Sequence, residues 1–236
     1  MLLLLEDKLA KVADVIEKEL NNVSEFGGNT DGDYYPTVED IAYALDNKHL
    51  HADTYHGVSR MGVIIEGCSK VLKVEFDGEY YYDDFYDYDD DDNECYKEEE
   101  IFCEFETDYC YSEMSIYEEA CQAGVEMFFA EVIPYRNIDY NRIIFMQDYV
   151  TPVNDDRSDR TTSADSLEKA RNEDRAVCDI NWIANAIEKY GLEAYRKFVD
   201  FIYNQRPEVS GDLHLGNIGY RLDGTPCILD YAGWSH

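Results

Sequence analysis

The sequence predicts an α+β fold, with an antiparallel sheet over residues 51–150, a reduced, mainly helical part over 151–236, and a helical segment, 1–50, ahead of both. Three observations carry the prediction. Between Thr54 and Val150, short apolar runs alternate with turn residues, as in the strands of an antiparallel sheet. From Ser163 to Tyr203 apolar residues recur at helical spacing. Near the end, Ile218–Tyr220 and Cys227–Leu229 flank the turn Leu222-Asp223-Gly224-Thr225-Pro226, which reads as a tight hairpin.

The chain has 236 residues, 45% hydrophobic and 14% aromatic, enough for one domain of two lobes or for two small domains, with a sizeable core. Its net charge of −32 disfavours nucleic acid and anionic membrane as partners and favours a basic protein surface or divalent cations. Self-repulsion also opposes compaction, so salt or Mg²⁺ should stabilise the fold. Seven cysteines, Cys68, Cys95, Cys103, Cys110, Cys121, Cys178 and Cys227, form no Cys-x-x-Cys pair and no zinc-spaced cluster. Their odd number and scatter indicate reduced thiols in a cytoplasm. The apolar start Met1–Leu5 ends at Glu6, too short for a signal peptide or membrane span. The expectation is a soluble cytoplasmic protein.

Taken in order, Leu5, Leu9, Val12, Ile16 and Leu20 mark a first helix over residues 3–20. A second runs from Val38 to Leu45, with Thr37 as N-cap and Asp40 at the capping-box position. The pair packs against the sheet or forms a partner-binding appendage. Strands follow at Val63–Ile65 and Val71–Val74, the second carrying Lys73. Residues 75–100 are rich in Asp, Glu and Tyr and read as a solvated, disordered insert, or as a Tyr-bearing anchor for a basic partner. Ser112–Gly124 is helical, with Met114, Tyr117, Ala120 and Cys121 on one side. Phe128–Ile133 and Ile143–Val150 are the next strands. A polar linker, 154–162, leads to a helical run from Ser163 to Lys189 and a last helix from Leu192 to Tyr203. Trp182, Tyr195, Phe198, Phe201 and Tyr203 are assigned to the core.

The chemistry concentrates between Ser210 and Gly233. Asn217 follows Asp212 by five positions, and Asp230 lies beyond the hairpin. A hairpin sets its two ends side by side, so Asn217 and Asp230 meet. That arrangement suits phosphoryl transfer: one carboxylate orients the acceptor hydroxyl, while an amide oxygen and a second carboxylate hold Mg²⁺ on nucleotide phosphates.

These residues resemble the protein-kinase-like superfamily. Asp212 and Asn217 fit its Asp-x-x-x-x-Asn catalytic loop, and Asp230-Tyr231-Ala232-Gly233 fits a variant of Asp-Phe-Gly. In layout the chain is most similar to small serine/threonine protein kinases of T-odd podophages, whose kinase region also closes soon after the second metal-binding Asp. The resemblance implies a bilobal fold and ATP with Mg²⁺ as cofactors. Gly57-Val58-Ser59-Arg60-Met61-Gly62 then takes the place of the phosphate-covering loop, with Gly57, Ser59, Arg60 and Gly62 against the nucleotide. It carries two glycines where Gly-x-Gly-x-x-Gly has three. Lys73, in Val-Leu-Lys-Val, is similar to the lysine that pairs with the α- and β-phosphates. Glu113 is its ion-pair partner, with Glu118 and Glu119 as rivals. The strand Ile143–Val150 leads into the hinge, where Asp148 joins the nucleotide site and Met146 either lines the back of the pocket or packs in the core. Asp212 is implied as the base, and Asn217 and Asp230 as metal ligands. His214 stands where protein kinases carry a Lys, either at the γ-phosphate or holding the loop. Gly211 replaces the Arg of His-Arg-Asp, which argues against control by a phosphorylated activation loop.

Two functions of different class follow. One is phosphorylation of host proteins in the host cytoplasm; a small-molecule kinase is its weaker variant. The other is a kinase-like interaction protein, catalytically weak or inactive, whose acidic surface binds and inhibits a basic host protein.

Overall fold

A computed structural model describes residues 2–22, 38–56, 60–75, 78–88, 94–104, 109–138, 143–155 and 162–232. It opens with helices α1 (Leu2–Asn22) and α2 (Val38–Asn47). Leu9, Val12, Ile16 and Leu20 form the buried stripe of α1, at the i, i+3, i+4 spacing of one helix face. Ile41 and Leu45 do the same for α2. The expected N-cap Thr37 lies outside the described residues, as does the side chain of Asp40.

Strands β1 (Ala52–His56), β2 (Arg60–Ile65) and β3 (Lys70–Glu75) follow. With the later β6 (Val132–Asn137) and β7 (Ile143–Asp148) they make an antiparallel sheet of order β1-β2-β3-β7-β6. Successive strand residues point to opposite faces. Met61, Val63, Ile65, Leu72, Val74 and Ile144 therefore share one face and pack with the stripes of α1 and α2 in one apolar cluster. Arg136 of β6 fastens α1 further, donating to Asp14 and, at 3.1 Å, to Glu17. The first helices thus cover the back of the sheet, and its other face is left for a cavity.

Between β3 and the next helix, β4 (Gly78–Tyr88) and β5 (Glu94–Glu104) pair as a separate two-stranded antiparallel ribbon. This corrects the expectation of a disordered insert. Tyr, Phe and Ile favour the extended backbone, and two eleven-residue strands supply a long ladder. Charge still opposes it, because the register sets Asp83 opposite Glu99 and Asp84 opposite Glu98.

Helix α3 (Tyr109–Ala123) begins three residues before the expected start and buries Cys110, Glu113, Ile116 and Ala120. Cys121, expected on the inner side, is exposed. The expected strand from Phe128 begins only at Val132. A 3₁₀ turn, Glu126–Phe128, comes first and sends Phe128 and Phe129 into the helical core. Phe128 stacks on Phe198, with ring centroids 4.5 Å apart.

Beyond β8 (Val150–Pro152) come α4 (Ala164–Arg171), α5 (Ile180–Tyr190), α6 (Leu192–Asn204) and the short α7 (Pro207–Ser210). The helical run expected from Ser163 to Lys189 is two helices with separate caps. Ser163 accepts from Ser166 N at 3.2 Å, and Asp179 from Trp182 N at 2.6 Å. Trp182, Tyr195, Phe198 and Phe201 are fully buried; Tyr203, expected in the core, is exposed, two positions beyond Phe201 on the outer side of α6. Strands β9 (Ile218–Arg221) and β10 (Pro226–Ile228) form the expected hairpin, and β9 also pairs with β8 in a three-stranded sheet. No helix among the described residues is long and apolar enough to cross a membrane.

Candidate active site

Lys73 lies mid-strand on β3, on the sheet face away from α1, and is 4% exposed. A buried ammonium must be paired and hydrogen-bonded, since an isolated ion in the interior costs several kcal/mol. Its partner is Glu113 of α3, itself fully buried, with Nζ 3.0 Å from Oε2 and 3.2 Å from Oε1. Nζ also donates to the Leu229 carbonyl at 3.3 Å. Glu118 is exposed, and Glu119 is bound to Arg206 through Nε at 2.7 Å and through Nη2. Among the three acids proposed for this pairing, Glu113 is the one at Lys73.

The loop after α7 holds the second group. Asn217 donates its Nδ2 to the Asp212 carbonyl at 2.9 Å, which commits the amide nitrogen to the loop. The backbone closes the same loop, His214 N to Asp212 O at 2.9 Å and Asn217 N to His214 O at 3.0 Å. The hairpin then returns the chain, with Gly224 at φ +81° in its turn. Leu229 N donates to Asn217 O at 2.9 Å, which places Asp230 beside Asn217. Close packing demands glycine at 219, where an added Cβ would lie 2.0 Å from the Thr151 carbonyl oxygen.

Asp230 is anchored through its neighbours. Leu229 O accepts from Lys73 and from Gln147 Nε2, the latter at 2.8 Å. On the other side, Tyr231 N donates to Glu113 Oε1 at 3.3 Å, and the Tyr231 hydroxyl donates to Ala130 O at 2.6 Å. Burial, with the Glu113 carboxylate next in weight, raises the Tyr231 phenol well above its ordinary range, so it stays a neutral donor.

A cavity of about 390 Å³ joins these parts. Gly62, Ile64, Val71 and Lys73 form its sheet wall, the segment 147–150 its back, and Asn217, Leu229 and Asp230 its floor. Met146 is not on this surface. It pairs in register with Leu72, so the two-residue alternation turns it to the α1–α2 side, where it packs against that core. Gln147, 1% exposed and one residue later, takes the cavity position. Asp148 does border the cavity, but its carboxylate binds Lys70 at 2.6 Å and Arg221 at 3.2 Å, linking the two main sheets.

Asp212 is 9% exposed and lies at the start of the loop, joined to the cavity through Asn217. His214 is exposed and folded onto its own loop: Nδ1 accepts from Gly216 N at 3.0 Å, and Nε2 lies 3.8 Å from Asp212 Oδ1. Of the two roles considered for it, this geometry fits loop support. Gly57 and Ser59 fall outside the described residues, as does the side chain of Arg60. Sequence reading missed Tyr55 as well as Gln147. Tyr55 faces Gly62 across β1 and β2, and its ring occupies the space above that glycine, where a Cβ would sit 1.9 Å from Cζ. A glycine inside a strand is the signal that a large cross-strand neighbour lies over it.

The arrangement can hold a polyanion against a buried ammonium, with the oxygen-bearing side chains of Asn217 and Asp230 on the floor of the same cavity. No protein-family model matches the chain, and no curated protein matches it significantly.

Proposed function

We propose that the chain is an ATP- and Mg²⁺-dependent phosphotransferase of protein-kinase-like, bilobal architecture, a phage-type serine/threonine protein kinase acting on host proteins. The observation that carries this reading is the convergence of Lys73, paired to Glu113, with Asn217 and Asp230 around one cavity. One amide oxygen and one carboxylate suit Mg²⁺, which binds through few protein oxygens and completes its shell with phosphate and water. When bound, ATP·Mg²⁺ supplies the transferable phosphoryl group and a cation that offsets its charge. The chain supplies the rest. Lys73, held by Glu113, directs positive charge at phosphate oxygens. The segment 147–150 presents backbone groups to a planar base, and the apolar walls Ile64 and Val71 exclude water from it. Asp212 orients the acceptor hydroxyl and takes its proton.

The test is transfer of labelled γ-phosphate from ATP·Mg²⁺ to a bacterial extract and to the protein itself, beside Asp212→Ala and Lys73→Met. Label present in wild type and lost in both variants is the expected result; full turnover in Asp212→Ala removes that residue as the base.

A second reading rests on the ribbon β4–β5, which forms its own sheet and, between residues 78 and 104, carries Lys97 as its one base among many acids. On this reading the ribbon binds and inhibits a basic host protein. Deleting residues 78–104 separates the two, because it abolishes such binding and leaves phosphotransfer intact.

A further inference from the structure

Resting on the phosphotransferase reading, we propose that Gln147 is a positioning residue that sets the Asp230 carboxylate, through the Leu229 carbonyl, and so controls the affinity of the site for its divalent cation. The Leu229 peptide is held on both its polar groups: its N–H donates to Asn217 O at 2.9 Å, and its oxygen accepts from Gln147 Nε2 at 2.8 Å and from Lys73 Nζ at 3.3 Å. Asp230 is the next residue, and Asn217 is the other oxygen ligand of the proposed cation site. One peptide unit therefore spaces the two ligands.

Of the two donors on Leu229 O, only Gln147 is dedicated to it. Lys73 divides its ammonium between Glu113 and this carbonyl, and on nucleotide binding it must also serve phosphate oxygens. The Gln147 bond is shorter and comes from a side chain that is 1% exposed. Because the acceptor is a carbonyl, only the amide nitrogen can face it, which fixes the orientation of the group. With methionine there, a side chain of similar length and no N–H, the carbonyl keeps only the longer bond from Lys73, and Asp230 loses its spacing from Asn217. Partners bonded directly to metal ligands typically change cation affinity about 10- to 100-fold when removed, and a partner one peptide away belongs at the lower end of that range.

The experiment compares full-length wild type, Gln147→Met and Gln147→Leu by titrating Mn²⁺, read by its paramagnetic signal, in the presence of ATP. ATP binding in EDTA and the Mg²⁺ dependence of phosphotransfer are measured beside it. Expected are a cation Kd and an apparent KM for Mg²⁺ raised about ten-fold or more in both variants. The rise in cation Kd should exceed any change in ATP affinity in EDTA by about five-fold or more, a margin needed because Gln147 also borders the cavity. Loss of packing alone would not produce that split. Unchanged cation affinity in either folded variant overturns the positioning role and leaves the phosphotransferase reading standing. Wild-type protein that binds neither ATP nor Mn²⁺·ATP overturns both.

Discussion

Replacing Glu113 with glutamine tests the centre of the site, because that carboxylate is fully buried against an almost equally buried Lys73. Removing one member of a buried pair leaves the other charge uncompensated and costs about 3–5 kcal/mol. Two features of the structure refine this. Lys73 borders a cavity, so its ammonium can turn toward solvent, which favours the lower end of the range. Glu113 also accepts from Tyr231 N at 3.3 Å, and weakening that bond adds about 1 kcal/mol. The expected destabilisation is therefore about 3–4 kcal/mol, or about 6–16 °C in Tm for a chain of this size. The double variant Lys73→Met/Glu113→Leu supplies the control. Replacing both charges with apolar groups is often neutral, so it should recover all but the roughly 1 kcal/mol of the orphaned Tyr231 N–H. Phosphotransfer should be lost in single and double variants alike. Melting by calorimetry on wild type, Lys73→Met, Glu113→Leu and the double variant gives the coupling energy directly. A Glu113→Gln melt within 2 °C of wild type, or a double variant no more stable than the singles, would refute the reasoning.

Other expectations rest on separate parts of the molecule. Gly219→Ala drives a Cβ into the Thr151 carbonyl, a backbone atom that cannot step aside, and should cost about 1–3 kcal/mol or more in chemical denaturation. In native protein an alkylating reagent should label exposed Cys121 and Cys178 and spare Cys68, Cys110 and Cys227 until unfolding; burial pushes the Cys227 thiol up to about 12, so it stays protonated and inert. The Asp223 carboxyl is held below its usual range, first by the Thr225 side chain and then by the Thr225 backbone N–H. A depressed folded-state pKa contributes stability that is present above the unfolded value near 4 and is lost as pH falls through the folded value. Asp223→Asn should thus melt below wild type at pH 6, and the difference should shrink below about pH 4. Amide exchange in residues 78–88 and 94–104 should slow with added salt, because the register sets like-charged residue types opposite each other at 83/99 and 84/98 and salt screens like charges.

Much of this architecture is legible in the sequence where a local pattern settles it. The stripe of α1, the hairpin around Gly224 and the spacing of Asp212, Asn217 and Asp230 need no long-range information. Errors arise where one residue of register decides the face. Met146 and Gln147 differ by a single position, and an apolar strand does not announce which of its faces meets a second core. Phe128 and Phe129 read as strand because aromatic pairs favour strands, yet tertiary packing with Phe198 and Tyr231 draws them into the helical core. In the acidic block, charge argues for disorder and aromatic content for pairing, and composition alone does not rank the two. Glu113 is the hardest to single out, since its burial becomes favourable only when Lys73, forty residues earlier, arrives beside it.

That pairing also explains why α3 is fastened at two levels. Glu113 joins it to Lys73 on β3 and to the backbone of Tyr231 just past Asp230. Glu119, six residues on, joins it by two guanidinium bonds to Arg206, six residues before Asp212. A shift of α3 along its axis would break all of these at once, so the helix fixes the lysine, the floor of the cavity and the approach to the Asp212 loop relative to one another. The ties differ in strength. Arg206 and Glu119 are partly exposed, so their contact contributes about 1 kcal/mol and weakens with salt. The Lys73–Glu113 contact, 5% and 0% exposed, weakens much less. Arg206→Ala should therefore loosen the link to the Asp212 loop while leaving the lysine pair formed, and raising ionic strength on wild type should reproduce part of that change.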